Sequence, residues 1–226
     1  MNGPGVKPSH TERLRSAEVF YNDSVVQPKR KGDWMLTSTG RAYWPMDPRA
    51  EDVNIVDIAH SLAMQCRYGG HCRLFYSVAE HSVHMSRLIG GEPHGDRPNN
   101  IEFALIALLH DATEAYVSDV PRPLKPFLTN YEAIERRNWM AICDAFDLPR
   151  VGVPEAIADL DRRMCLREME ALMPKTSMPL GIEGPTPEFW PQCWDPKEAK
   201  EQFLTRFDYL WRERMTARHP AAYGRV

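Results

Sequence analysis

The segment from Ile101 to Leu109, IEFALIALL, runs without a break into His110-Asp111. Ala, Leu and Ile in near-continuous succession form a helix that is apolar almost all round, and such a helix belongs in the centre of a fold. An imidazole and a carboxylate at its inner end carry a desolvation cost that something must offset. A metal ion offsets both together. Glu114 lies one turn after His110, on a helix read from about Asn100 to Val117, and shares its face. The chain then leaves through Ser118, Asp119, Pro121 and Pro123, a breaker-rich turn that carries another carboxylate.

The bulk properties exclude several classes. A chain of 226 residues accommodates one large domain, or a domain with extensions. The formal charge of -3 gives no electrostatic case for binding a nucleic-acid polymer. No apolar run reaches the roughly 18 residues of a membrane span. The opening MNGPGVKPSH has no apolar core of the kind a secretory signal needs. The five cysteines form no C-x-x-C pair and are odd in number, which points to a reduced, cytoplasmic protein. Cys66 and Cys72 flank His71, but their separation is a poor zinc spacing.

Periodicity predicts helix after helix. Residues 1–32 are polar and lack a period, as expected of a flexible or loosely docked arm. Residues 33–50 mix aromatics with Gly and Pro, in a short hairpin or packed loop. From Asp52 to Arg67 apolar residues recur at three and four, and Tyr68-Gly69-Gly70 ends the helix. Ser77, with Glu80 three residues on, opens a second helix that carries His81 and His84. A loop, GGEPHGDRPNN, precedes the central helix. Further helices are expected over 130–147, over 154–173 with Pro154 in the first turn, and over 196–217. Between the last two, residues 174–195 are irregular, with Trp190 and Trp194 as packing anchors. The fold class is all-α.

Each polar candidate also has an ordinary explanation. A helical His such as His81 is commonly a satisfied core or surface residue, and His84 a surface neighbour. Glu114 could be a helix-surface acid. Asp159 and Asp161 both lie in ADLDRRM, where charge usually marks a solvated face. Composition and period do not choose between them.

The segments FYSVAEHSV, LLHDATEAYVSDVPRPLK and DLDRRMCLREMEALM, preceded by AHSLAMQCRYGGHC, resemble the HD-domain metal-dependent phosphohydrolases. The resemblance is to the branch of bacterial 5′-deoxynucleotidases and phage deoxyadenosine triphosphate triphosphohydrolases, and covers roughly residues 50–175. It implies an HD-type helical bundle: one domain over residues 33–226 behind the arm. It also implies a metal held by His81, His110, Asp111 and Asp161. Asp161 is preferred to Asp159 because D-R-R-M-x-L-x-E is similar to the family's segment after its last aspartate. The same resemblance makes Glu114 the catalytic glutamate and Asp119 the second acid. It places Arg67 and Lys125 on a substrate phosphate, and Tyr68 where some relatives carry a Trp against the nucleoside.

Two imidazoles and two carboxylates suit a divalent first-row metal such as Mn, Co, Fe or Zn, whereas Mg alone would be unusual with two His ligands. The expected reaction removes phosphate from a deoxynucleoside 5′-monophosphate by attack of a metal-bound water. The alternative is release of tripolyphosphate from a deoxynucleoside triphosphate. A non-catalytic HD-fold nucleotide-binding module is a third reading, but degenerate relatives usually lose a ligand or the glutamate, and all are present here. The implied partners are a small nucleotide and further copies of the chain, with no membrane. Base preference is written in no motif.

Overall fold

The computed structural model describes residues 29–91 and 100–219. Most of the expected arm (1–28), and residues 92–99 of the expected loop, lie outside them. The arm's last residues are docked: Arg30 pairs with Asp47 at 3.0 Å and Asp52 at 2.5 Å, and lies over the Trp44 ring.

Strands β1 (Met35–Leu36) and β2 (Ala42–Tyr43) form the expected hairpin, with Met35 opposite Tyr43. Gly40, at φ 80, takes the left-handed position in its loop, which other residues adopt only with strain. The buried Asp57 carboxylate fastens the hairpin to the bundle, accepting from Ser38 Oγ, Thr39 Oγ1 and Thr39 N–H at 2.6–2.7 Å.

Helix α1 (Ile55–Met64) is shorter than the period implied. Asn54 caps it, accepting from Val56 N–H at 2.8 Å. Its C-terminal end is cut back because residues after Met64 bond elsewhere: Gln65 O accepts from Val78 N–H, and Arg67 N–H donates to Tyr76 O. This short antiparallel bridge delivers the chain into α2 (Val78–Gly90). Ser77 caps α2 as expected, but only half of the capping box forms. Glu80, with no exposed surface, turns away and accepts the backbone N–H groups of Gln192, Cys193 and Trp194 at 2.6–2.9 Å.

The central helix is two helices, α3 (Ile101–Leu109) and α4 (Glu114–Val117). The single helix expected to Val117 is corrected here. Past Leu109 the chain tightens into i→i+3 turns, Ala112 N–H to Leu109 O and Glu114 N–H to Asp111 O, each 2.9 Å. Helices α5 (Tyr131–Ala145), α6 (Glu155–Leu172) and α7 (Pro196–Arg218) follow. Pro154 is the residue before α6 rather than within its first turn.

The class is all-α apart from the hairpin. Helix α3 is the core: Ala104 to Leu109 are all buried, against α2 on one side and α7 on another, while α1 crosses α7. In the irregular stretch before α7, Trp194 stacks on His84 at 5.4 Å, but Trp190 is 53% exposed and anchors nothing inside. His84 is buried rather than a surface neighbour. Among the described residues, no helix is long and apolar enough to cross a membrane.

Leu105 is fully buried at the middle of α3. Leu105→Ala is expected to lower unfolding free energy by about 2–5 kcal/mol in urea titrations read by circular dichroism.

Candidate metal centre

His81 lies in the first turn of α2, one residue after Glu80, and faces the opposite way, inward. Its Nδ1–H donates to Glu168 Oε1 at 2.6 Å, which turns the other nitrogen, Nε2, toward Asp161. His110 is arranged in the same sense, with Nδ1–H donating to Ala107 O at 2.8 Å. The two rings are 5.3 Å apart. Both Nε2 atoms are buried, and neither has a hydrogen-bond partner. A buried ring nitrogen without a partner is costly, and two that converge while their opposite nitrogens are tethered form the arrangement of metal-ligating imidazoles.

Asp161, from α6, completes the set. Its Oδ1 is 3.1 Å from His81 Nε2, and one ligand atom each from His81, His110 and Asp161 lie within 4.8 Å of one another. This trio could hold a metal ion. Asp111 Oδ2 lies 3.2 Å from His110 Nε2 and 3.9 Å from His81 Nε2, at the edge of the trio. Asp159 is elsewhere, paired on the exposed face of α6 with Arg162 and Arg163. Cys66, Cys72 and His71 enter no such ligand group among the described residues.

The surrounding charges are unequal. Arg67 does not sit at the C-terminus of α1 as a dipole partner. Its guanidinium reaches inward to Asp111 at 3.5 Å, Asp161 at 3.9 Å and Glu168 at 3.3 Å. Burial alone would raise the Asp161 carboxyl, but His81, His110 and Arg67 hold it well below the usual carboxylate range. Asp111 is likewise lowered against its burial, chiefly by His110. Glu114 moves the other way: burial, then Asp111 and Asp119, push it well up, and its Oε2 has no hydrogen-bond partner. Burial also raises Asp119. Lys125 stands at the rim, half-exposed, with Nζ 3.0 Å from Glu135 Oε1. Asp111, Asp161 and Glu168 thus converge on Arg67 and the two imidazoles, with the acids Glu114 and Asp119 beside them.

Glu168 closes the D-R-R-M-x-L-x-E segment but is given no role by the sequence reading. It has no exposed surface and accepts from His81, from Tyr76 OH at 2.9 Å and from Tyr68 OH at 2.6 Å, with Arg67 beside it. Tyr68 therefore spends its hydroxyl on holding Glu168. A signal was available: Glu168 follows Asp161 by seven positions, two helical turns along one face.

No family model matches the chain. It is similar to the uncharacterized protein YfdR of Escherichia coli K12, 40% identical over 128 residues, which are 56% of this chain and 66% of that protein. It is also similar to an uncharacterized protein of Rhodobacter capsulatus, 35% identical over 124 residues, 54% of this chain and 62% of the relative. The matches thus span slightly less than two thirds of these relatives' lengths.

Two outcomes follow from the charges. Burial and Arg67 depress His81, but Glu168 and Asp161 outweigh them and raise it to about 9 in the metal-free protein. A cation must displace that proton, so apparent affinity for Co or Zn should climb as pH rises toward about 9, in competition titrations with a chelating dye. Glu168→Gln should weaken that affinity by roughly 10–100-fold. Glu168 itself, despite its burial, is held down to about 2 from an ordinary value of 4.5, by Arg67 first and then His81. Its contribution to stability is therefore complete above about 4.5 and lost as pH falls toward about 2. Acid titration of the metal-free protein should show a loss of stability over that window, and a smaller loss in Glu168→Gln.

Proposed function

We propose that the chain is a metal-dependent phosphohydrolase acting on a small phosphate ester, foremost a deoxynucleoside 5′-monophosphate. The observation that carries this reading is the pair of tethered imidazoles with partnerless Nε2 atoms beside Asp161. In this reading His81, His110 and Asp161 hold the cation, with Asp111 as the fourth ligand. The resemblance to HD-domain phosphohydrolases adds the substrate class, and the helical class found here is compatible with it.

A bound divalent cation supplies Lewis acidity: it polarises a phosphoryl oxygen and acidifies water. The chain's own groups do the rest. Arg67 and Lys125 are the cations acting on the two acids, Glu114 and Asp119, and they receive the phosphate dianion. Arg67 binds through a planar fork and Lys125 as a point charge. Glu114, buried with one oxygen unpartnered and ionised once a cation offsets its neighbouring acids, takes the proton of the attacking water. Asp119, held in its protonated form more readily than an exposed aspartate, gives a proton to the departing 5′ oxygen. Both cations are already shared with carboxylates, Arg67 with three and Lys125 with Glu135. The compact charge of a monophosphate therefore suits the site better than a triphosphate's.

The test is product separation from dAMP and dATP with Mn or Co present. Release of inorganic phosphate from dAMP is expected, and turnover of neither substrate by the metal-loaded protein would refute the reading. Glu114→Gln should retain the metal, by elemental analysis, while kcat falls by about 10²–10⁴-fold. Unchanged turnover would remove Glu114 from its role.

A further inference from the structure

The turn between Glu114 and Asp119 contains a strained residue. Ser118 sits at φ 68 and ψ 154, a region that residues with a side chain adopt only when their surroundings impose it. Those surroundings can be named. Gln65 Nε2 donates to Glu114 O at 3.0 Å, and Gln65 Oε1 accepts from Asp119 N–H at 3.0 Å. One primary amide thus bridges the backbone at the two acids, using its donor on one and its acceptor on the other. No shorter or singly functional side chain at position 65 does both. On the far side of the turn, Tyr131 OH donates to Ser118 O at 2.8 Å.

Gln65 is itself fixed. Its Nε2 also lies 3.2 Å from Ser61 Oγ, which in turn donates to Ala115 O at 3.1 Å. Its own carbonyl accepts from Val78 N–H, at the start of the helix that carries His81. The residue stands where α1, α2 and the acid-bearing turn meet, two residues before Arg67.

We infer that Gln65, with Tyr131 opposing it, is a positioning residue that sets Asp119 relative to Glu114. It touches neither metal nor substrate; it holds the left-handed turn that brings the second acid to the first. This rests on the hydrolase reading for what the two acids do, but the clamp is a property of the chain alone.

The experiment compares wild type with Gln65→Met, which keeps length and loses both hydrogen bonds, and Tyr131→Phe, which loses one hydroxyl. Bound Mn or Co should stay at the wild-type ratio, because no ligand is touched. For dAMP hydrolysis, kcat should fall by about tenfold or more in Gln65→Met while KM stays within about threefold, since a misplaced acid costs the transition state rather than binding. Tyr131→Phe should move kcat in the same direction by less, and carries the test if Gln65→Met does not fold. A fall in KM-weighted binding with kcat intact, or no change in either, overturns the inference. Hydrogen exchange at the Asp119 amide separates failure of the clamp from failure of the hydrolase reading. If the wild type turns over no phosphate ester, faster exchange at Asp119 in Gln65→Met still upholds the clamp, and wild-type protection there overturns it.

Discussion

A carboxylate sealed from water governs the polar centre of this protein. Glu168 cannot be buried as an anion uncompensated, and four side chains compensate it: His81, Tyr68 and Tyr76 by hydrogen bonds and Arg67 by its charge. In accepting the Nδ1 proton it decides which nitrogen of His81 faces the other acids. A buried charge that loses one partner is strongly destabilising, so these groups stand or fall together. They come from three parts of the chain, the connection after α1, the first turn of α2 and the second half of α6, and the bond network ties those parts at one point. The orientation of His81 in the candidate metal trio therefore follows from satisfying one buried anion.

Much of this was legible in the sequence wherever the chain's own period carried it. The apolar run 101–109 gave the core helix because no polar residue interrupts its faces. His110-Asp111 is conspicuous at the end of an apolar run, whereas His81 is picked out only by the resemblance to HD-domain phosphohydrolases. The end of α3 was not legible. Ala112, Thr113 and Glu114 continue a helix as readily as they leave one, and the tightening at His110 depends on bonds made in the folded chain. Asp159 and Asp161 could not be separated by composition, since both sit among arginines; only the facing of α6 sends one outward to Arg163 and the other inward to His81. Gln65 was invisible for another reason. Its work is done on backbone atoms 49 and 54 residues away, and no local pattern records that.

Five acidic side chains, Asp111, Glu114, Asp119, Asp161 and Glu168, crowd a site where two buried ring nitrogens have no hydrogen-bond partner. Hydrogen bonds from Tyr68, Tyr76 and His81 satisfy Glu168, and ion pairs serve Asp111 and Asp161, yet the unpartnered oxygen of Glu114 remains beside them. A bound cation would take the place of the His81 proton, let Glu114 ionise and relieve the crowding of acids.

Helix α2 presents consecutive residues to opposite sides. Glu80 gathers three successive amides of the stretch 192–194, while His81, next in sequence, turns toward the acids. Because neighbours on a helix share a rigid backbone, the irregular connection to α7 is indexed to the ligand-bearing turn. Chain length could drift upstream of Pro191, where the segment is largely exposed, without moving the imidazole. An insertion inside the clasped tripeptide would instead detune it, so the tolerance of this connection to sequence drift has an abrupt border at Gln192.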